Sequence, residues 1–362
     1  MDNISIKLTM NHRIHEILYG MVFPYLDFYD KHKFQKINKY TIMIHIKVLM
    51  NIDRKYLYKL DDIILKNYKC IIKLNACHNF KITDVSHVTK LKELVASCDC
   101  GIGDEVLSNL TDLEILYANY NPKIKNINHM TKMKELGASF SCGIDDYGIL
   151  DLTDLKILYA TNNSKITNIK YMTKLKELYA GDCCGIDDEG MLNNINLEIL
   201  HAPSNRKMTN MNHMTKLKEL SVGYDCGIND GGILNLTDLE ILYANDNSKI
   251  TNVNHMTKLK NMHASYGCGI DDGGIMILTN LEILCANDNA KIMNVNHMTK
   301  LKELYARYNC GIDDDGIFNL TNLKILDVDG NAKITKSREC KNYQITRMQK
   351  LPNRENAKIT KS

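Results

Sequence analysis

Residues 301 to 317 read Leu-Lys-Glu-Leu-Tyr-Ala-Arg-Tyr-Asn-Cys-Gly-Ile-Asp-Asp-Asp-Gly-Ile, and closely similar stretches recur along the chain. The Cys-Gly pair inside this stretch returns every 42 residues, at Cys100, Cys142, Cys184, Cys226, Cys268 and Cys310. A fixed period of this length indicates an array in which each repeat is one structural unit. We therefore predict a repeat architecture for most of the chain.

Each 42-residue period contains two shorter units with the template apolar-x-x-apolar-x-small-x-x-polar-x-x-Ile, as in Leu113, Leu116, Ala118, Asn121 and Ile124. Thirteen units begin at residues 71, 91, 113, 133, 155, 175, 197, 217, 239, 259, 281, 301 and 323, so spacings alternate between 20 and 22. The fourth and sixth residues follow the strand period of two, whereas the third, fifth and seventh face outward. The pattern predicts one short parallel strand per unit, buried only when neighbours stack.

Both kinds of unit resemble leucine-rich repeats. Even-numbered units, such as 301–317, are similar to the cysteine-containing subclass, and odd-numbered units, such as 239–258, are similar to the short internalin-like type. The resemblance covers residues 71 to about 334. It implies an α/β solenoid, a leucine-rich-repeat horseshoe with parallel strands on its concave face.

Three kinds of side chain recur with the repeat and form ladders along it. Asn occupies the ninth position of all seven odd-numbered units, where we expect its amide to satisfy backbone groups of adjacent turns. The Asp-x-Gly motifs of the even-numbered units predict a turn, with a calcium site as the weaker alternative. The periodic cysteines lie two strands apart, about 10 Å, which is too far for a disulfide, so we expect buried reduced thiols and no metal site.

Composition narrows the functional classes. The 362 residues carry a net charge of +3, too weak a bias to indicate nucleic-acid binding, and no apolar run has the length of a membrane span or signal peptide. Phosphate-binding loops, nucleophile elbows and His-Glu-x-x-His motifs are absent from the sequence. We expect a cytoplasmic protein that is not an enzyme and uses no cofactor.

Aromatic side chains recur at the outward-facing fifth position and predict a protein-binding concave face. The alternative is that near-identical repeats copy one solvated face. The candidate partner-binding residues are Tyr117, Tyr159, Tyr179, His201, Tyr243, His263 and Tyr305.

Residues 1–70 do not follow the template, and the apolar spacing of 14–26 and 34–49 predicts helices. The stretch from His15 to Asp30 followed by Asn38-Lys-Tyr40 resembles an F-box, although Arg13 and Ile14 replace the usual Leu-Pro opening. The resemblance implies that these helices dock on a Skp-type adaptor of a cullin ubiquitin ligase while the solenoid selects the ubiquitylation substrate. The implied adaptor-binding residues are Ile17, Leu18, Val22, Phe23 and Leu26.

Other interpretations of the ends stay open at this point. The N-terminal helices can serve only as a cap on a plain binding scaffold. Residues 335–362 are predicted to be irregular or disordered, and the copy of Asn331 to Ser337 at 356–362 leaves open an inert product of repeat expansion. Composition and near-identical repeats also resemble F-box repeat proteins of giant DNA viruses, which implies the host cytoplasm as location.

Overall fold

The computed structural model describes residues 48–49, 60–66, 71–335 and 344–345. The predicted adaptor-binding residues Ile17, Leu18, Val22, Phe23 and Leu26 lie outside the described residues, as does most of the predicted tail. Among the described residues, no helix combines the length and apolar character that crossing a membrane requires.

The described residues fall into two bodies, one within Met1–Leu175 and one within Lys176–Ser362, and each body is a parallel β-solenoid. The first body contains β1 Val48–Leu49, β2 Lys73–Asn75, β3 Glu93–Val95, β4 Ile115–Tyr117, β5 Glu135–Gly137 and β6 Ile157–Tyr159. The second contains β7 Glu177–Tyr179, β8 Ile199–His201, β9 Glu219–Ser221, β10 Ile241–Tyr243, β11 Asn261–His263, β12 Ile283–Cys285, β13 Glu303–Tyr305, β14 Ile325–Asp327 and β15 Gln344–Ile345. Within each body, every strand pairs in parallel with the next strand in sequence.

The strand pairing is in register with the template, which places equivalent side chains above one another. Leu242 of β10 pairs with Leu220 on one side and Met262 on the other, and all three are buried. Ala244, the sixth residue of that unit, is also buried, while the fifth residue, Tyr243, is partly exposed. The prediction of one short strand per unit, buried by its neighbours, is confirmed.

The segments that return from one strand to the next contain little helix. The described residues form α1 Asp62–Leu65 and α2 Asp104–Leu107, with 3₁₀ turns at Asp146–Gly148, Asp230–Gly232, Gly273–Ile275 and Asp315–Ile317. Units of 20 to 22 residues leave room for about one helical turn, and the glycines in these returns disfavour a longer helix. The helical part of the predicted α/β solenoid is therefore small.

Repeat-like structure is also present before residue 71. Asp62 accepts a hydrogen bond from the backbone N of Thr83 at 2.8 Å, as Asp146 does from Thr167 at 2.7 Å. The helical prediction for 34–49 is wrong at its last two residues, which form β1 and pair with Lys73 and Leu74. The apolar residues at the end of this segment form a short run, and a short apolar run fits a strand as well as a helix.

Candidate functional site

The asparagine ladder belongs to the scaffold. In the first body, Asn121 Nδ2 donates to the carbonyls of Ala96 at 2.8 Å and Ile102 at 3.1 Å, and its Oδ1 accepts from the backbone N of Lys123 at 3.0 Å. All seven ninth-position asparagines are at most 6 % exposed. The predicted role, satisfying backbone groups of an adjacent turn, is confirmed.

The aspartates of the Asp-x-Gly motifs are also engaged by the next turn. Asp230 Oδ1 accepts from the backbone N of Thr251 at 2.7 Å, and its Oδ2 accepts from the Thr251 hydroxyl at 2.6 Å. Asp146 and Asp188 repeat both contacts with Thr167 and Thr209. These carboxylates therefore join successive turns, which gives the Asp of the motif a structural role.

The periodic cysteines are packed inside the solenoid. Each is at most 1 % exposed. Burial raises the pKa of the Cys142 and Cys268 thiols to about 11, so they are protonated and unreactive near neutral pH. This agrees with the expected role of small apolar groups.

The strand face of the second body carries a continuous aromatic row, which we define as Tyr179, His201, Tyr243 and His263. Ring centroids are 4.9 Å apart for Tyr179 and His201, 6.2 Å for His201 and Tyr243, and 4.7 Å for Tyr243 and His263. His201 and Tyr243 lie on strands that are not adjacent. They meet because the intervening β9 carries the small Ser221 at this position.

An open cavity of about 250 Å³ lies at the centre of the aromatic row. Its lining residues are His201, Ser221, Gly223, Tyr224, Tyr243 and Asn245. A methyl group on Gly223 would lie 2.5 Å from the carbonyl oxygen of Asn245, so this side of the cavity admits no side chain. The cavity thus results from two small residues in one unit, between larger aromatic neighbours.

Carboxylates flank the aromatic side chains. Glu219 Oε1 lies 2.8 Å from His201 Nε2, and the Tyr305 hydroxyl donates to Glu303 at 3.0 Å. Burial raises the pKa of Tyr243 and lowers that of His263, which keeps the Tyr243 hydroxyl protonated and disfavours the charged form of His263. The face therefore combines two rings held in their neutral form, those of Tyr243 and His263, with acidic neighbours.

The strand face of the first body has a shorter aromatic pair. Tyr117 and Tyr159 have ring centroids 6.2 Å apart across Gly137, and the Tyr117 hydroxyl donates to Glu135. Tyr305, in the second body, is separated from His263 by Cys285 of β12. The structure thus brings four of the seven predicted face residues into one row and two into a pair.

Two features escaped the sequence analysis. One is an apolar ridge on the return segments of the second body, where the exposed residues Leu192, Leu234, Met276 and Phe318 recur every 42 residues. The other is a group of three possible metal ligands in the first body, Cys77, His78 and Cys98. Comparing positions one 42-residue repeat apart reveals the ridge in the sequence, whereas the Cys77–Cys98 separation of 21 residues matches neither the repeat nor Cys-x-x-Cys spacing.

Comparison with solved structures identifies the fold. An internalin from Listeria monocytogenes matches over 80 % of this chain and 83 % of its own, with a TM-score of 0.54 and 22 % identity. A leucine-rich-repeat protein from Leptospira interrogans matches over 80 % of this chain and 91 % of its own, with a TM-score of 0.50 and 16 % identity. The fold is that of leucine-rich-repeat proteins. The leucine-rich-repeat fold that the sequence resemblance implies is therefore confirmed.

A third leucine-rich-repeat neighbour is the functional domain of InlJ from Listeria monocytogenes, which includes a cysteine ladder. It matches over 73 % of this chain and 59 % of its own, with a TM-score of 0.56 and 22 % identity. No family model and no curated protein matches the chain. At these identities the likeness concerns the fold alone.

Proposed function

We propose that this leucine-rich-repeat chain is a non-enzymatic protein-binding module whose main contact surface is the aromatic row of the second body. The proposal rests on the row itself, in which each of four rings contacts the next and an open cavity lies beside them. Tyrosine is enriched at the energetic centres of protein interfaces because it combines a large apolar ring with a polar end.

The cavity favours a protein partner over a small molecule. Its volume of about 250 Å³ is below the roughly 300–1,000 Å³ of typical small-molecule sites, and it is widely open. A single side chain of a partner fits such a space. Glu219, which contacts the lining residue His201, and the ring of Tyr243 favour a lysine or arginine there, through charge and through a cation–π contact.

Removing the two rings that flank Ser221 tests the proposal. We expect the full-length His201→Ser, Tyr243→Ser variant to lose a bound protein partner by about 30-fold or more in affinity, the effect of losing hot-spot residues worth about 2 kcal/mol or more. Partners captured from a cell lysate by the wild type would be identified by mass spectrometry and their affinity measured by titration.

The matched control is Leu234→Ser, which changes an exposed apolar residue of the same body on the return ridge. A partner retained by this control and lost by the double variant supports binding at the aromatic row. Partners bound equally by both variants, or lost only with Leu234→Ser, would contradict the assignment of the surface.

We further propose that the chain is the substrate-recognition subunit of a cullin ubiquitin ligase acting in the cytoplasm. The support is the F-box-like sequence between His15 and Tyr40, paired with a repeat domain that carries the proposed binding face. On this proposal residues 1–70 dock on a Skp-type adaptor, and the ubiquitin transfer chemistry belongs to other subunits.

Titration of the full-length protein with purified Skp-type adaptor tests this second proposal. We expect binding by the wild type and its loss in Leu18→Asp, Leu26→Asp, because a carboxylate in an apolar interface is costly to desolvate. Circular dichroism of the variant separates lost binding from lost folding. A well-folded wild type that does not bind the adaptor leaves residues 1–70 as a cap and the first proposal intact.

A further inference from the structure

Cys77, His78 and Cys98 converge at the ends of two neighbouring strands of the first body. Cys77 and His78 follow β2, and Cys98 follows β3, which pairs with β2. The two sulfur atoms are 3.8 Å apart, and the ligand atoms of all three side chains lie within 4.8 Å of one another. Both thiols are partly accessible and His78 is exposed.

The repeat does not account for these three residues. Counted 42 residues further on, the same positions hold Asn119, Tyr120 and Phe140, and the Tyr120 and Phe140 rings stack at 4.3 Å. The backbone therefore places the side chains at these positions in contact. Among the described units, Cys77, His78 and Cys98 are the one set in which all three positions hold a possible metal ligand. The periodic Cys100 is different, since it is buried and belongs to the core.

We propose that Cys77, His78 and Cys98 form a Zn²⁺ site that links two successive turns. Zinc bound by thiolates at about 2.3 Å in a tetrahedron holds two sulfurs about 3.8 Å apart, which matches the observed separation. A sulfur and an imidazole nitrogen on the same tetrahedron are about 3.6 Å apart. Rotation of the exposed His78 side chain closes the remaining distance.

The donor set selects a thiophilic metal. Two thiolates and one imidazole favour zinc over calcium or magnesium, which prefer oxygen ligands. Binding displaces the two thiol protons to solvent, so the affinity rises with pH. The three side chains occupy three tetrahedral positions, and water completes the fourth.

Cobalt substitution in the reduced full-length protein tests the site. We expect one equivalent of Co²⁺ per chain to produce the near-ultraviolet thiolate charge-transfer absorption of a tetrahedral site, and one equivalent of Zn²⁺ to remove it. The charge-transfer band should be lost in Cys98→Ser. The affinity should fall about tenfold or more in His78→Ala, since even outer-shell partners of a metal contribute 10- to 100-fold.

Cys183→Ser is the matched control, because Cys183 is an exposed cysteine at the end of another strand. Its cobalt spectrum should equal that of the wild type. Zinc should also raise the melting temperature of the wild type and not of Cys98→Ser, because a ligand that binds only the folded state stabilises it.

Three outcomes would overturn the proposal. The first is a cobalt spectrum unchanged in Cys98→Ser. The second is unaltered affinity in His78→Ala, which would remove the imidazole from the ligand set. The third is a Cys77–Cys98 disulfide in the protein as isolated, with no cobalt band after its reduction. Circular dichroism of each variant separates loss of the metal from loss of the fold.

Discussion

Replacing Gly274 with alanine is expected to destabilise the protein by about 3 kcal/mol or more, the upper end of the cost of over-packing. A methyl group at this position would lie 1.9 Å from the carbonyl oxygen of Thr251 and 3.0 Å from its carbonyl carbon. Both atoms belong to the backbone of the preceding turn, and Val253 N donates to the Gly274 carbonyl at 2.9 Å. The two turns must separate to admit the methyl group, which breaks this hydrogen bond.

The adjacent Gly273 provides the matched control. A methyl group there would meet only Asp271 Oδ1, at 3.3 Å, and a shift of this side chain by a few tenths of an ångström relieves the contact while Oδ1 still accepts from Gly274 N. We expect Gly273→Ala to change stability by less than about 1 kcal/mol, the scale of glycine-to-alanine effects without strain. Guanidinium unfolding followed by circular dichroism compares the two variants. Similar midpoints for both would show that close approach of the turns is not what requires Gly274.

The sequence identifies Gly274 as part of a turn, but it does not reveal why the residue at this position must be glycine. Gly148, Gly232 and Gly316 show the same close approach, since a methyl group added to any of them would lie within 2.1 Å of a carbonyl oxygen of the preceding turn. None of the four requires a left-handed backbone. The constraint lies in the distance between successive turns, which the spacing of residues in one unit does not reveal.

On the strand face, too, the sequence predicts the direction of the side chains but not the contacts between them. Alternation along a strand predicts that Tyr243 and His201 point outward, because strand geometry fixes the side of each residue. It does not predict that the two rings meet. Their contact depends on Ser221, the small residue between them, and the cavity depends in addition on Gly223.

The cysteine–histidine cluster was missed for a related reason. Metal ligands are usually sought at short sequence spacings, such as Cys-x-x-Cys, but in a solenoid the nearest neighbours of a residue are one turn away. Cys77 and Cys98 are 21 residues apart, one more than the 20-residue unit spacing. The sequence contains the signal only once the strand pairing is known.

Substitution of Asn247 is expected to have a comparably large effect on stability. Its Nδ2 donates to the carbonyls of Val222 at 2.7 Å and Ile228 at 3.2 Å, and its Oδ1 accepts from Lys249 N at 3.0 Å. Asn247 is only 1 % exposed, so alanine would leave buried carbonyls without these donors. At about 1–3 kcal/mol for each unsatisfied group, we expect Asn247→Ala to lower the free energy of unfolding by about 3 kcal/mol.

The Asn247→Asp variant removes the Nδ2 donor of the side chain and keeps its Oδ1 acceptor, so it tests the two functions separately. Aspartate can still accept from Lys249 N, but an ionised carboxylate would face two carbonyl oxygens in a buried site. Such a group would have a raised pKa in the folded state. The unfolded state then binds fewer protons, so stability falls as the pH rises above about 3.9, the ordinary pKa of aspartate.

The control for both variants is Asn235→Ala, which removes an exposed amide whose Nδ2 lies 3.4 Å from the Asn212 carbonyl. Its unfolding midpoint should stay close to that of the wild type. Guanidinium unfolding at several pH values distinguishes the three variants. If the unfolding midpoint of Asn247→Asp did not change with pH and equalled that of Asn235→Ala, the buried amide would not hold the turns together. The expected result, a loss in Asn247→Asp that grows with pH, would place the stability of the solenoid in its polar ladder as well as in its apolar core.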